Sequence, residues 1–278
     1  RNDSFSEESF LNIIHSESII INSINEFIGN ICFSIIIHVF TLLLKILINV
    51  PFSCKSEVNI LLLTIKEICG FCTQPFNIII VDDSSPDGTA DIARNLAKKI
   101  REIIVIQRPA KLGLGAAYKN GFTYVLEKLG SELIIEMDAD HSHDPREIPN
   151  MIKKIGRYDY LIASRHIKGS STIGWGIWRK ITHALAIFIA KQCTKLDISD
   201  PTSGFRMFKK ETLQQIDFEK IKSDGYAFQI EVLHQLKQKG MKGLETITTF
   251  VDRKEGKSKM GKREILQFTK TCMSYIRK

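Results

Sequence analysis

From residue 51 onward, short runs of consecutive apolar residues alternate with longer stretches whose apolar positions recur every three or four residues. The short runs are 76–81 (FNIIIV), 103–107 (IIVIQ), 133–137 (LIIEM) and 160–164 (YLIAS). They are too short for helices and too continuous for strands with one wet face, so they predict strands buried on both sides. Between them, 57–70, 87–99, 115–129 and 145–155 predict helices. The second of these, DGTADIARNLAKK, carries acid in its first turn, where it complements the helix dipole. This alternation predicts βαβ units, hence an α/β fold with a mostly parallel sheet flanked by helices.

The first fifty residues follow another pattern: about a quarter are isoleucine and Gly29 is the single glycine. The stretch 31–50 is just long enough to span a bilayer, but His38 and Lys45 interrupt it. Its last part, 42–50, is read instead as the first buried strand. The chain thus divides into an atypical extension, 1–41, and one domain, 42–278. The extension is expected either to associate with a membrane or to be mis-assigned sequence. In the second half, 172–194 is a mostly apolar helical stretch carrying both tryptophans. Ile265, Phe268, Cys272 and Ile276 form one stripe, with Lys262, Arg263, Lys270 and Arg277 around it. Both stretches suit amphipathic helices lying in a membrane interface, with core packing as the alternative.

Charge sharpens this picture. The 278 residues carry a formal +8, but the first fifty hold two basic residues against five acidic ones, which leaves +11 on the remainder. A basic body implies an anionic partner. No nucleic-acid motif accompanies the charge, and nucleic acid is not expected. The six cysteines are too sparse for a disulfide framework. Cys69-Gly-Phe-Cys72 has redox spacing but precedes a strand, so reduced thiols and a cytosol-facing protein are expected.

Two acidic clusters fall at predicted strand ends, where parallel sheets bind ligands. Asp138-Ala139-Asp140 follows LIIEM. At a frayed strand end its two carboxylates can converge on one hard cation, Mg²⁺ or Mn²⁺, shared with substrate phosphates. His141 and His143 follow, but no further His/Cys cluster is apparent to complete a zinc set. Asp82-Asp83-Ser84-Ser85-Pro86-Asp87-Gly88 joins FNIIIV to a helix. There Asp82 can accept hydrogen bonds from a base or ribose, while Asp87 caps the helix. Gly113-Leu114-Gly115 invites a dinucleotide reading, but the third glycine would fall at Tyr118 and no strand runs directly into the motif. There is no P-loop and no Gly-x-Ser-x-Gly elbow.

IIIVDDSSPDGT, KLGLGAAYKNG, MDADHSHDP, ASRHIKG, DPTSGFRMF, GYAFQIE and FVDRKEGKSKMG occur in this order. Together they resemble the catalytic subunits of dolichyl-phosphate mannosyltransferases, inverting glycosyltransferases of the GT-A fold, from about Pro51 to the C-terminus. The resemblance implies transfer of mannose from GDP-mannose to dolichyl phosphate, supplying glycoprotein and GPI-anchor glycosylation. Ile80 and Asp82 would hold the guanosine, with Pro51 beside them. Asp138, Ala139 and Asp140 would bind the diphosphate and the cation. Arg165, Arg253 and Lys259 would face phosphates, and Arg206 would sit near the acceptor. Asp140, Arg165 and Arg206 are the catalytic candidates. An acceptor phosphate monoester, with its second pKa about 6, is already an anionic nucleophile, so no general base is required.

The resemblance further implies the cytosolic face of the endoplasmic reticulum membrane, with membrane contact through amphipathic helices, small transmembrane partner subunits or both. The chain departs from the pattern at one place. Family members carry Pro-Thr-Tyr-Asn-Glu after the first strand, whereas here the Tyr and Glu positions fall at Ser53 and Lys55. A glucosyl donor is the enzymatic alternative, and a non-catalytic nucleotide-binding subunit the alternative of another class.

Overall fold

The structure, a computed structural model, describes residues 44–50, 55–72, 74–85, 88–110, 112–223, 225–252 and 262–276. The expected extension 1–41, the capping Asp87 and the site candidates Pro51, Arg253 and Lys259 lie outside the described residues. In chain order come strand β1 (Leu44–Val50), helix α1 (Lys55–Phe71), β2 (Phe76–Asp82), α2 (Thr89–Lys99), β3 (Ile103–Gln107), α3 (Leu114–Lys128) and β4 (Leu133–Asp138). After a 3-10 turn at Pro145–Glu147 follow α4 (Ile148–Ile155), β5 (Tyr160–Ser164), β6 (Ser171–Ile173), α5 (Ile177–Thr194), β7 (Arg206–Lys209) and α6 (Lys210–Gln214). The last elements are α7 (Gly225–Gln238), β8 (Gly243–Ile247), β9 (Thr249–Val251) and α8 (Lys262–Ile276).

Seven strands form one sheet in the order β3-β2-β1-β4-β7-β5-β8, and β6 pairs with β9 separately. β1 to β4 run parallel. β7 is antiparallel to β4 and β5, and β8 is parallel to β5. The apolar end of the 31–50 stretch is therefore the middle of a sheet, with Leu44, Ile46 and Ile48 fully buried. Parallel neighbours need crossover connections, which α1, α2 and α3 supply. The first two carry the chain outward to β3; the third brings it back to β4 on the other side of β1. That reversal is a topological switch point, and ligands bind in the crevice it opens at the strands' carboxyl ends.

Strand residues alternate between two apolar layers, as period-two geometry requires. Ile78 and Ile80 pack with Leu61 and Ile65 of α1, Leu96 of α2 and Met151 of α4. Ile79 and Val81 pack with Phe122 of α3, Phe228 of α7 and Cys193 of α5. Phe268 and Cys272 of α8 are buried in that second layer, so these two members of the 265–276 stripe serve the core rather than a membrane. Gly115 explains the Gly-Leu-Gly segment. A Cβ there would stand 2.9 Å from the Ser223 carbonyl oxygen and 3.0 Å from Phe228, too close for any side chain, so the glycine lets α3 and α7 approach.

Candidate active site

The strand register brings the two acidic clusters to one edge. Val50 of β1 stands opposite Asp82 of β2, and Asn49 stands opposite Asp138 of β4. Asp82 and Asp138 are thus two strand spacings apart, about 10 Å. Between them lies the crevice of the switch point.

At the end of β4 the chain turns through His141, whose φ of 57° is left-handed. Ala139 buries its methyl in the core, while the carboxylates on either side are partly exposed. Each carboxylate is fixed by neighbours. Tyr118, fully buried on α3, donates its hydroxyl to Asp138 Oδ1 at 3.2 Å. Ser142 donates its N–H to Asp140 Oδ1 at 3.1 Å and its hydroxyl at 2.5 Å. The histidines that follow are engaged elsewhere. His141 Nε2 contacts Glu67 Oε2 at 2.9 Å. His143 Nδ1 accepts the Asp138 N–H at 3.2 Å and its ring stacks on Phe205 at 5.2 Å. What faces the crevice is an oxygen donor set, which fits a hard divalent cation such as Mg²⁺ or Mn²⁺. The residues that would hold it are Asp138 and Asp140.

Removing the Tyr118 hydroxyl frees the Asp138 carboxylate to rotate. Because outer hydrogen bonds of this kind are worth about 10–100-fold in metal affinity, Tyr118→Phe is expected to raise the half-saturating Mn²⁺ concentration about tenfold. The melting temperature should change little, since the ring stays packed between Phe122 and Phe228. A manganese titration of activity beside a thermal melt checks this, and an unchanged manganese requirement would remove Tyr118 from the site.

Asp82 is fully buried at the end of β2. Its Oδ2 accepts the Ser85 N–H at 3.1 Å, whereas its Oδ1 has no hydrogen-bond partner among the described residues. A buried oxygen without a donor is costly, so this atom is suited to a ligand N–H or O–H. Asp83 beside it is committed to Arg108, whose Nε donates to Oδ1 at 2.5 Å. The Ile80 side chain lies wholly in the first apolar layer, so any part Ile80 takes in holding a nucleoside falls to its backbone.

Arg165 and Arg206 are also placed differently from expectation. Arg165 pairs with the buried Asp200, Nε to Oδ2 at 2.6 Å and NH2 to Oδ1 at 2.8 Å. Its guanidinium lies against the rings of Trp175 and Phe250, 5.5 and 5.3 Å from their centroids. Burial alone would raise the Asp200 carboxyl, but Arg165 overrides it and holds that carboxyl well below the usual range. Arg206 is fully buried. It donates to the carbonyl oxygens of Ser203, Gln229 and Pro201 at 2.7, 3.0 and 2.8 Å, with Glu136 Oε1 at 3.5 Å. It ties the loop before β7 to the sheet, with its donors engaged by protein groups. Gly204 in that loop is what stands beside Asp138: a Cβ there would lie 3.5 Å from Oδ2.

One cation that sequence reasoning passed over does border this region. Arg179 of α5 lies over Trp175, 4.6 Å from the ring centroid, and pairs with Asp252 at 2.5 Å. Asp252 directly precedes 253–261, and the N–H of its neighbour Val251 donates to the Ser142 carbonyl at 3.3 Å. Arg179, the end of β9 and the acidic turn therefore share one neighbourhood. Nothing local in the sequence marks this, because three separate segments converge on it.

Two buried imidazoles make stability pH-dependent. Burial pushes His143 down to about 4 and His183 down to about 3. In the unfolded chain both protonate near about 6.5, so below that pH the unfolded state binds more protons and folding weakens. Glu136, pushed up to about 8 by burial against the pull of Arg206, works the other way with one proton, and the imidazoles prevail. Urea midpoints should fall between pH 7 and 5, and His143→Gln should flatten the slope. A midpoint independent of pH over that interval would contradict this.

Comparison with known proteins agrees with the geometry. Residues 52–217 match glycosyl transferase family 2. The undecaprenyl-phosphate mannosyltransferase of Micrococcus luteus is 36% identical over 184 residues, 66% of this chain and 75% of that one. The polyprenol monophosphomannose synthase of Mycolicibacterium smegmatis is 36% identical over 191 residues, 68% and 71% of the two chains. Among solved structures, glucosyl-3-phosphoglycerate synthase from Mycobacterium tuberculosis with Mn²⁺, UDP-glucose and phosphoglyceric acid superposes with a TM-score of 0.58 at 15% identity, covering 86% of this chain and 80% of that one. A mannosyltransferase from Pyrobaculum calidifontis with GDP-Man and Mn²⁺ gives 0.52 at 14% identity, covering 81% and 62%. At such identities the structural likeness speaks for the fold alone. A parallel sheet whose strand order reverses beside an Asp-x-Asp turn, together with the sequence match across more than half its length, makes this chain a member of glycosyl transferase family 2, a glycosyltransferase of the GT-A fold.

Proposed function

We propose that this protein transfers mannose from GDP-mannose to a polyprenyl phosphate of the dolichyl type at a membrane surface. The observation that carries the reading is the pair Asp138 and Asp140 at the switch-point edge, each held by a neighbouring donor. The two relatives named above for polyprenyl-linked mannosyl transfer support mannose as the sugar and a polyprenyl phosphate as the acceptor.

In this reading Asp82 Oδ1 receives a hydrogen bond from the nucleoside. Asp138 and Asp140 hold a divalent cation whose chemistry is to neutralise charge on a departing diphosphate. Arg179, beside Arg165 and the aromatic rings, offers positive charge to the acceptor phosphate. That phosphate is largely a dianion at neutral pH, so it attacks the sugar carbon without a general base, and the protein's task is positioning.

The membrane enters through α5. His183, Ile187 and Ala190 turn inward, while Ile177, Trp178, Ile181, Leu185 and Phe188 face solvent, Trp178 at 77% exposure. Lys180 is exposed beside them. No helix among the described residues is long and apolar enough to cross a membrane, and this face suits a helix lying in the interface. Replacing Trp178 and Ile181 together by glutamate is expected to lower binding to anionic vesicles about tenfold or more in flotation. Equal flotation of variant and wild type would move the contact elsewhere.

The test of function is transfer of labelled mannose from GDP-mannose to dolichyl phosphate in detergent, with Mg²⁺ or Mn²⁺ and with EDTA. Cation-dependent label in the lipid phase is expected. Label from UDP-glucose but not GDP-mannose would replace the donor, and silence with both would remove the reading.

A further inference from the structure

His166 follows β5 and His183 lies on α5, yet their rings stack with centroids 5.1 Å apart. His166 Nε2 stands 3.1 Å from His183 Nδ1. An oxygen of Asp200 lies within 4.8 Å of a ring nitrogen of each histidine. His166 is exposed, whereas His183 and Asp200 are buried, so the cluster opens to solvent on one side only.

The other nitrogen of His183 settles its tautomer. Thr202 Oγ1 is 3.0 Å from His183 Nε2. The single hydroxyl proton of Thr202 goes to Asp200 Oδ1 at 3.0 Å, and Thr202 Oγ1 itself accepts from Arg165 NH2 at 2.9 Å. His183 Nε2 must therefore donate, which leaves Nδ1 as a bare lone pair aimed at His166. An imidazole whose second nitrogen is tied through a hydroxyl to a carboxylate has the outer support that orients metal-binding histidines.

We propose that His166 Nε2 and His183 Nδ1 bind one borderline divalent cation of the Zn²⁺ type, separate from the Asp138–Asp140 pair, with water completing its shell and Asp200 supporting His183 through Thr202. Zn–N bonds of about 2.0–2.1 Å put two nitrogens on a tetrahedral ion about 3.3–3.4 Å apart, close to the spacing already present. Asp200 acts through Thr202 rather than as a direct ligand, because both its oxygens already accept hydrogen bonds from Arg165 and Thr202. In the metal-free pair one proton lies between the rings, on His166 Nε2. On binding, His166 keeps one proton by carrying it on Nδ1, exchanged through solvent, so neither ring changes charge.

Two cations face the pair. Arg165 is neutralised by Asp200, and Arg179 is ion-paired with Asp252. Burial first, and then Arg165, lowers the affinity of both imidazoles for protons, which leaves their nitrogens available to a metal at neutral pH. Nitrogen ligands favour zinc over magnesium, whereas the acidic turn has the opposite preference.

Calorimetric titration of Zn²⁺ alone into chelator-stripped protein tests the site. The full chain, His166→Ala and the double variant Asp138→Asn/Asp140→Asn are compared, with a thermal melt of each. Wild type and the double asparagine variant are expected to bind one equivalent with similar affinity, and His166→Ala, an exposed substitution, to lose about tenfold or more without a lower melting temperature. The proposal is overturned if His166→Ala binds zinc like wild type, if the tight equivalent disappears with the two aspartates instead, or if wild type binds none.

Discussion

Asp140→Ala is expected to lower cation-dependent sugar transfer by about 10³-fold, with the fold intact. Groups that stabilise charge appearing on a leaving group act in the transition state, and removing one typically costs about 10²–10³ in rate; here the loss extends to a ligand of the ion itself. The structural consequence is smaller. Asp140 sits in a surface turn and accepts two hydrogen bonds from Ser142, each worth about 1 kcal/mol net. The measurement is initial rate against Mn²⁺ concentration, beside a urea denaturation curve. Turnover within tenfold of wild type at saturating manganese would show that Asp140 is not a cation ligand.

Arg206→Ala is expected to act in the opposite sense, on stability rather than on substrate binding. The substitution leaves Glu136 buried without its partner and strips donors from the carbonyls of Ser203, Gln229 and Pro201. Breaking a buried pair from one side costs about 3–5 kcal/mol, a large share of the 5–15 kcal/mol typical of a domain. Low yield and a strongly reduced urea midpoint should follow. Glu136→Leu/Arg206→Met, which removes both buried polar groups at similar volume, should recover part of the loss. If Arg206→Ala instead kept the wild-type midpoint and raised only the KM for polyprenyl phosphate, Arg206 would be an acceptor ligand after all.

The contrast between these two residues shows what local pattern conveys. Asp140 stands immediately after a continuous apolar run, and a buried parallel strand delivers its next residues to the carboxyl edge whatever surrounds it. Arg206 also follows a recognisable motif, but β7 runs antiparallel between β4 and β5. Its residues therefore enter the sheet where those of β4 leave it, and Arg206 faces Glu136 within the core. A run of four residues carries no signal of strand direction. Ile80 shows the reverse case: a continuous apolar run already predicts burial on both faces, and the packing of α1 and α2 is what fills its face.

Short apolar runs and periodic stretches sufficed for the α/β class, the four predicted strands, a first strand expected over 42–50 and found at Leu44–Val50, and the position of both acidic clusters. Each of these depends on residues within one turn or one strand of each other, where backbone geometry alone sets the outcome. Strand order, the reversal beside β1, the burial of Arg206, the Tyr118–Asp138 hydrogen bond and the meeting of His166 with His183 came only with the tertiary structure. They join residues 17 to 70 positions apart, and such contacts are decided by how helices and strands exclude water together, which no local periodicity records.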